Sequence, residues 1–218
     1  MGQVSGTAAL AAGQLGFYIN SSACHGCKAC ELACKDKHDL KPGPRLRRVR
    51  LMCGGSWEKD ERYGSYTPKG VFSYSVSFSC GHCDEPACVA ACPTGAMTKD
   101  PQTGIVSNDR EVCIGCGACA QACPYGAPQV DVEIDKVRKC DFCQDLLAQG
   151  GEPVCVGACP QRALHWGPID ELRALYGDLC DVQPLPPSEL TRPNVAITPH
   201  KDAVFGAGEG RALSLDAQ

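Results

Sequence analysis

The stretch "CIGCGACAQACPYGAP" at residues 113–128 decides the fold of this 218-residue chain. It spaces four cysteines as C-x2-C-x2-C-x3-C and follows the last of them with proline. Three thiols this close together can hold three irons of one cubane from a single loop, while a helical turn directs the fourth toward a neighbouring cluster. The stretch therefore predicts a pair of [4Fe–4S] clusters.

Similar groups recur along the chain and contain sixteen of its 18 cysteines. Each group ends with Ala-Cys, and its third and fourth cysteines are four residues apart, which predicts one helical turn between them. Proline follows that turn in three groups, at Pro93, Pro124 and Pro160, and stops the helix there. The groups are Cys24, Cys27, Cys30 and Cys34; Cys80, Cys83, Cys88 and Cys92; Cys113, Cys116, Cys119 and Cys123; and Cys140, Cys143, Cys155 and Cys159.

Disulfides and zinc are the alternative uses of these thiols. Disulfides need an oxidising compartment, and x2 spacing repeated four times makes poor covalent links for a whole domain. Zinc favours pairs of C-x2-C, a pattern that fits the second and fourth groups but leaves a third cysteine unexplained in the first and third. Sixteen thiols at four per cubane predict four [4Fe–4S] clusters, with Cys53 and Cys180 as ordinary thiols.

Composition and charge exclude several functions. A formal net charge of −4 argues against a nucleic-acid partner. No run approaches the ~18 apolar residues of a membrane span, and the N-terminus shows neither a secretory nor a twin-arginine signal. The basic run at residues 45–50 is interpreted as a solvated strand face. Without a phosphate loop or a nucleophile–base pair, the chain is predicted to carry electrons, with no small-molecule substrate of its own.

Between the cysteine groups the sequence favours short strands. "VFSYSVSFS" at residues 71–79 alternates apolar residues with serines, which is typical of a half-buried strand, and residues 104–109 and 129–135 are shorter candidates. Loop, helical turn and strand repeated in pairs predict an α+β fold of ferredoxin-like units. His25 and His82 lie between cysteines, where they either tune a cluster or are plain polar loop residues.

Over nearly its whole length the chain resembles the iron–sulfur subunits of dimethyl sulfoxide reductases, within the four-cluster subunits of molybdopterin oxidoreductases. The cysteine spacing is shared with formate dehydrogenase, polysulfide reductase and nitrate reductase relatives, whereas the flanking residues and the tail favour the dimethyl sulfoxide branch. The resemblance rests on "GFYINSSACHGCKACELACKDKHDL", "SCGHCDEPACVAACPTGAM", "CIGCGACAQACPYGAPQ", "CVGACPQRALHWGPIDELR" and the tail "PLPPSELTRPNVAITP".

This resemblance implies two ferredoxin-like [4Fe–4S] dicluster modules related by pseudo-twofold symmetry, with long loops and an extended C-terminal tail. Residues 14–76 and 136–180 would form the module of groups one and four, residues 77–135 that of groups two and three, and residues 181–218 the tail. The implied ligand sets are Cys24, Cys27, Cys30 and Cys159; Cys34, Cys140, Cys143 and Cys155; Cys80, Cys83, Cys88 and Cys123; and Cys92, Cys113, Cys116 and Cys119.

The resemblance also implies a place in a larger complex. Electrons would pass from a quinol-binding membrane anchor through this subunit to a molybdopterin catalytic subunit that reduces dimethyl sulfoxide or related S- or N-oxides. The group-one cluster would face the catalytic subunit and the group-three cluster the anchor. The complex would be peripheral to the cytoplasmic membrane, on the periplasmic side through co-export with a twin-arginine partner or, alternatively, on the cytoplasmic side.

Two alternatives stay open at this point. The same electron path suits a formate dehydrogenase or polysulfide reductase type complex, and a free polyferredoxin would carry the same cysteines. The tail distinguishes the bound subunit from the free carrier, because it has no cysteine in a ligand group and would be superfluous on a free carrier. We expect it to lie against the catalytic partner rather than to be a disordered end.

Overall fold

The computed structural model describes residues 13–206 and 211–213, so the N-terminal stretch searched for an export signal lies mostly outside the described residues. Strands and short helices alternate along the chain. The strands are β1 Leu15–Asn20, β2 Arg48–Lys59, β3 Tyr66–Phe78, β4 Met97–Lys99, β5 Val106–Asn108, β6 Gln129–Asp131, β7 Lys136–Arg138, β8 Leu164–Pro168, β9 Val195–Thr198 and β10 Arg211–Leu213. The helices are α1 Ala29–Lys37, α2 Ala87–Ala90, α3 Ala118–Ala122, α4 Gln144–Ala148, α5 Val154–Gly157 and α6 Ile169–Tyr176, with a 3-10 turn at Ser188–Leu190.

The predicted helical turns between the third and fourth cysteines are confirmed. Helices α2, α3 and α5 have four or five residues and end before the prolines, whereas α1, whose group has no proline, continues for nine residues. Helix α1 packs against α5, and α2 packs against α3. The fold therefore brings group one against group four and group two against group three.

Four small sheets support these helices. The first has the order β8-β1-β9, in which β1 pairs antiparallel with β8 and parallel with β9. The second has the order β10-β2-β3, and two hairpins pair β4 with β5 and β6 with β7. This mixture of helix and strand confirms the predicted α+β class. Among the described residues, no helix has the length and apolar character that crossing a bilayer requires.

The strand predicted at residues 71–79 is confirmed as the second half of β3, but it is buried on both faces. Tyr74 and Val76 lie in the core, as the alternation predicts. Ser75 and Ser77 on the opposite face are 4% and 1% exposed, because that face packs against the loop of group one. The serines are therefore lining residues of a buried polar site and not a solvent face.

The residues after 180 do not form a free, extended tail. Val182, Val195 and Ile197 are at most 1% exposed, and β9 completes the sheet at the edge of β1. Further backbone hydrogen bonds join this segment to the group-two loop, from Asp84 N–H to the carbonyl of Arg192 and from Asn194 N–H to that of Gly81. Up to Thr198 the segment is part of the core, while residues 207–210 and 214–218 lie outside the described part.

Candidate metal centres

The first set of predicted ligands surrounds one cavity. Cys24, Cys27 and Cys30 from group one and Cys159 from group four line it, and Ser77 of β3 closes one side. Cys30 lies in α1 and Cys159 lies two residues after α5. Because these helices pack against each other, the thiols of the two groups come together. The structure thus places three thiols of one group beside the fourth thiol of another.

The second module contains an equivalent cavity. It is lined by Cys80, Cys83 and Cys88 from group two and by Cys123 from group three. Thr191, from the segment after 180, also lines the cavity and donates its hydroxyl to the Cys83 Sγ at 3.2 Å. In both cavities, therefore, three thiols come from one group and the fourth comes from the group that packs against it.

Electrostatic coupling shows which of the remaining thiols are neighbours. Burial and the nearby Cys155 thiol raise the pKa of Cys34 to about 12, and Cys143 adds to the effect. Burial raises the pKa of Cys140 well above its usual value, with further contributions from Cys80 and Cys34.

In the second module, burial raises the pKa of Cys119, with contributions from Cys92 and Cys113. Cys92 comes from group two, whereas Cys113 and Cys119 come from group three. Thiols of both groups therefore lie near one another here as well. Cys116 is exposed on the same loop.

The spacing of the thiols tests the choice of metal. A single zinc ion holds four sulfurs at about 2.3 Å, which puts the sulfurs about 3.8 Å apart. Among the described residues, the only three potential ligands within 4.8 Å of one another are His38, Asp141 and Cys143, a trio with one sulfur. The four-thiol sites are thus wider than a mononuclear zinc site and fit a multi-iron cluster.

Burial also fits a bound cluster. Burial raises the pKa of Cys83 and of Cys88 to about 12, so that without a metal these thiols hold their protons at neutral pH. Irons provide the positive charge that stabilises buried thiolates, and their binding releases the protons. The residues present therefore fit [4Fe–4S] clusters.

The cysteine loops fit closely against neighbouring segments of the chain only because they contain glycine. Gly26 and Gly115 have φ values of +68° and +69°, in the left-handed region. A Cβ at Gly26 would come within 2.6 Å of the Ser75 hydroxyl, and one at Gly115 within 2.3 Å of the Asp135 carbonyl. A side chain at either position would push the loop away from its cavity.

Hydrogen bonds to sulfur come from positions that the spacing of cysteines does not reveal. The N–H of His82 donates to the Cys80 Sγ at 3.4 Å, and the N–H of Ala163 donates to the Cys159 Sγ at 3.3 Å. Ser77 lies 3.3 Å from the Cys30 Sγ. Together with Thr191, these donors favour the thiolate form, as sulfur ligands of iron require. The alternating serines of β3 were the one sequence signal for them.

Cysteine groups two and four meet at an aromatic contact. His82, between Cys80 and Cys83, is 1% exposed, so it is not a polar loop residue, unlike the exposed His25. Its ring lies edge-on to Phe142, 5.2 Å between centroids, and Phe142 is itself fully buried between two cysteines of group four. Cys80 and Cys83 of group two therefore share one continuous core with Cys140, Cys155 and Cys159 of group four.

Comparisons with known proteins agree with this site. A 4Fe–4S dicluster domain matches residues 71–169, and a 4Fe–4S binding domain matches residues 21–37. The B subunit of anaerobic dimethyl sulfoxide reductase from Escherichia coli K12 is 50% identical over 190 residues, covering 87% of this chain and 91% of that protein. The corresponding subunit from Haemophilus influenzae is 46% identical over the same shares. The iron–sulfur subunit of the nitrate-inducible formate dehydrogenase of E. coli is 33% identical, covering 72% of this chain and 55% of that subunit.

The fold and the thiol sites thus define an iron–sulfur protein that binds [4Fe–4S] clusters, and a count of four fits its sixteen grouped cysteines. More specifically, the protein belongs to the family of the B subunits of anaerobic dimethyl sulfoxide reductases. It is an electron-transfer subunit and is not catalytic by itself. The resemblance seen in the sequence is confirmed.

Proposed function

We propose that this protein relays electrons from a quinol-oxidising membrane anchor to a molybdopterin subunit that reduces dimethyl sulfoxide or related S- and N-oxides. A [4Fe–4S] cluster accepts and releases one electron at a time, which is the chemistry that such a relay requires. The chain supplies the thiols, the hydrogen bonds to sulfur and the fixed spacing between modules. The identity of 50% to a B subunit of this class of reductase supports the choice of substrate.

In this proposal the four crossed ligand sets are those that the resemblance implies. Each cavity lined by four thiols contains three from one group and one from its partner group, which supports two of the sets directly. The packing of α1 on α5 and of α2 on α3 supports the crossed arrangement in both modules and a pseudo-twofold relation between them. We retain residues 14–76 with 136–180, and 77–135, as the two modules.

The observation that carries the relay is the exposure of two thiols. Cys27 and Cys116 are exposed, while the other fourteen grouped cysteines are buried or half-buried. These two thiols belong to the group-one and group-three sets, one in each module. An electron path needs an entry and an exit near the surface, and the exposed thiols provide one on each module.

Exposed apolar side chains occur in the same segments as the two exposed thiols. Leu32 of α1 is 67% exposed on the group-one helix. Ile114, in the group-three loop, is 63% exposed, and Val132 is 81% exposed in the β6–β7 turn that packs against this loop. Exposed apolar side chains beside a redox centre suit docking of larger subunits. We propose that the Leu32 surface contacts the catalytic subunit and the Ile114 surface the membrane anchor.

Charged variants at these surfaces test which surface receives electrons from the anchor and which passes them to the catalytic subunit. In the intact membrane complex, we expect Ile114→Asp to prevent reduction of the clusters by a quinol, since an aspartate buried at the anchor interface is desolvated without a partner. Clusters reduced chemically in this variant should still be reoxidised by dimethyl sulfoxide. Leu32→Asp should give the reverse pattern. The step that each variant impairs should slow by about thirtyfold or more, which is the effect of losing a central interface contact.

Val71→Asp is the matched control, because Val71 is 64% exposed on β3 and lies in neither surface. Visible absorbance of the clusters, followed by rapid mixing, measures both steps. If neither surface variant changes either step, the two surfaces do not dock these partners. If the full-length protein purifies alone and fully loaded, it acts as a free polyferredoxin. If formate reduces the clusters of the complex in place of sulfoxide oxidising them, the formate dehydrogenase type is correct.

The segment after 180 has a narrower proposed role than its sequence suggests. Val182 and residues 193–197 are buried in the protein's own core, so a partner contact falls to exposed positions such as Leu190, which is 55% exposed. For the location we propose a complex peripheral to the cytoplasmic membrane, on the periplasmic side through co-export with its catalytic partner. Protease digestion of intact spheroplasts distinguishes this side from the cytoplasmic alternative.

A further inference from the structure

Arg47 is a fully buried cation, although its sequence context suggests a solvated strand face. Its side chain is 1% exposed. The guanidinium donates to the carbonyl and hydroxyl of Ser77 at 3.2 Å and to the Ser79 hydroxyl at 3.0 Å, and it lies 4.8 Å from the centre of the Phe17 ring. All of these partners are neutral. Among the described residues no carboxylate pairs with Arg47, and its Nε has no hydrogen-bond acceptor.

An unpaired buried charge is costly, so an opposite charge must lie nearby in the working protein. The groups near Arg47 that become negative when they bind iron are thiols. Those close enough to act on the guanidinium electrostatically are Cys155, Cys30, Cys140 and Cys34. The Glu31 carboxylate of α1 has other partners, since it pairs with Arg45 and accepts a hydrogen bond from the Val49 N–H.

These four thiols come from both ligand sets of the first module. Cys30 belongs to the set with Cys24, Cys27 and Cys159, whereas the other three belong to the second set. Ser77 links the guanidinium to the first set, because its hydroxyl lies 3.3 Å from the Cys30 Sγ. Arg47 therefore lies between the two sites of this module, with a free N–H to donate.

We propose that Arg47 is the shared internal counter-ion of the two clusters of the first module and raises the reduction potentials of both. The proposal rests on the ligand sets proposed above. A cluster held by four thiolates is an anion that gains a further negative charge on reduction, so a fixed positive charge beside it favours the reduced form. Arg47 is a positioning residue in this role: it sets where the electron resides and binds no substrate.

A purely structural role for Arg47 is the competing explanation, because its hydrogen bonds also join the segment preceding β2 to β3. Arg47→Met removes the charge and keeps most of the volume, whereas Arg47→Lys keeps the charge and loses the planar hydrogen bonds. Ser79→Ala removes one hydrogen bond and leaves the guanidinium in place. The three variants therefore separate charge from packing.

The test is a redox titration of the intact complex followed by EPR. The signals of the two first-module clusters are identified by their changes in Cys30→Ser and in Cys155→Ser, one variant for each ligand set. In Arg47→Met, at a fixed applied potential, we expect the reduced-to-oxidised ratio of the two first-module clusters to fall about tenfold, equivalent to about 59 mV. The clusters of the second module should change much less. Arg47→Lys and Ser79→Ala should stay within about threefold of the unmodified complex.

Potentials in Arg47→Met that match those of the unmodified complex would overturn the proposal. A shift of equal size in Arg47→Lys would do the same, because it would assign the effect to packing. If Arg47→Met fails to retain its clusters, Arg47→Gln is titrated in its place, with the same expected shift. Iron analysis of each variant shows whether all ligand sets are filled, so that a failure of the proposed ligand sets is distinguished from a failure of the counter-ion role.

Discussion

A protein that ends at residue 181 is expected to lose its stable fold and its bound iron. The removed segment contributes Val182, Val195 and Ile197 to the core, each at most 1% exposed. Burial of one such side chain stabilises a protein by about 1.5–3 kcal/mol, so the three contribute about 5–9 kcal/mol. This is comparable to the whole stability of a typical domain, about 5–15 kcal/mol. The truncation also removes the Thr191 hydroxyl that donates to the Cys83 Sγ.

Because residues 181–218 contain no cysteine, the sequence alone suggests the opposite outcome, in which removing them leaves the clusters intact. Iron content and a thermal melt of the truncated protein decide between the two. A protein that ends at Gly206 is the matched control, because it retains β9 and Thr191 and should keep its iron. A truncation at 181 that melts and binds iron like the full-length protein would contradict the role given to this segment.

Replacing Cys119 by serine is expected to convert one cluster into a three-iron form and to leave the others unchanged. Cys119 lies in α3, 6% exposed and beside Cys92 and Cys113. A serine hydroxyl is a hard, weakly acidic donor that does not replace a thiolate on iron in this buried position. The oxidised variant should therefore show a new three-iron EPR signal equal to about one cluster per protein molecule.

The altered cluster should also impede electron flow. A three-iron cluster at this position is expected to have a higher potential, and each ~59 mV of increase lowers the onward equilibrium about tenfold. Quinol-driven reduction of dimethyl sulfoxide should then slow by about tenfold or more. Cys53→Ser is the control, because Cys53 lies in β2 outside the four groups. If the clusters assemble in Cys119→Ser without a new EPR signal, Cys119 is not an iron ligand.

The sequence predicted the parts of the site that depend on local spacing. The helical turn from Cys119 to Cys123 follows from four-residue spacing, and its end follows from Pro124. The resemblance implied that cysteine group one packs against group four and group two against group three. No local sequence pattern shows which helix packs against which other helix. The strand predicted at 71–79 is the second half of a longer strand that begins at Tyr66. Its serine face is buried, because period two does not reveal what covers the second face.

The residues that folding brings to the cysteine sites from distant parts of the chain could not be predicted from local spacing. Thr191 lies 108 residues from Cys83, and only folding brings the two together. The strand Val195–Thr198 is four residues between two prolines, too short to be distinguished from a loop, and its parallel pairing with β1 is a long-range contact. Arg47 was grouped with its half-buried neighbours, because the pattern of a basic run does not show which of its arginines packs against the cysteine loops.

The central claim is that this protein is an electron relay of four [4Fe–4S] clusters. The most direct test is the iron, zinc and acid-labile sulfide content of the full-length protein, purified without oxygen. The account predicts about sixteen irons and about sixteen sulfides per protein molecule, four of each for every set of four thiols. About two to four zinc ions per molecule, with little iron and no sulfide, would contradict it.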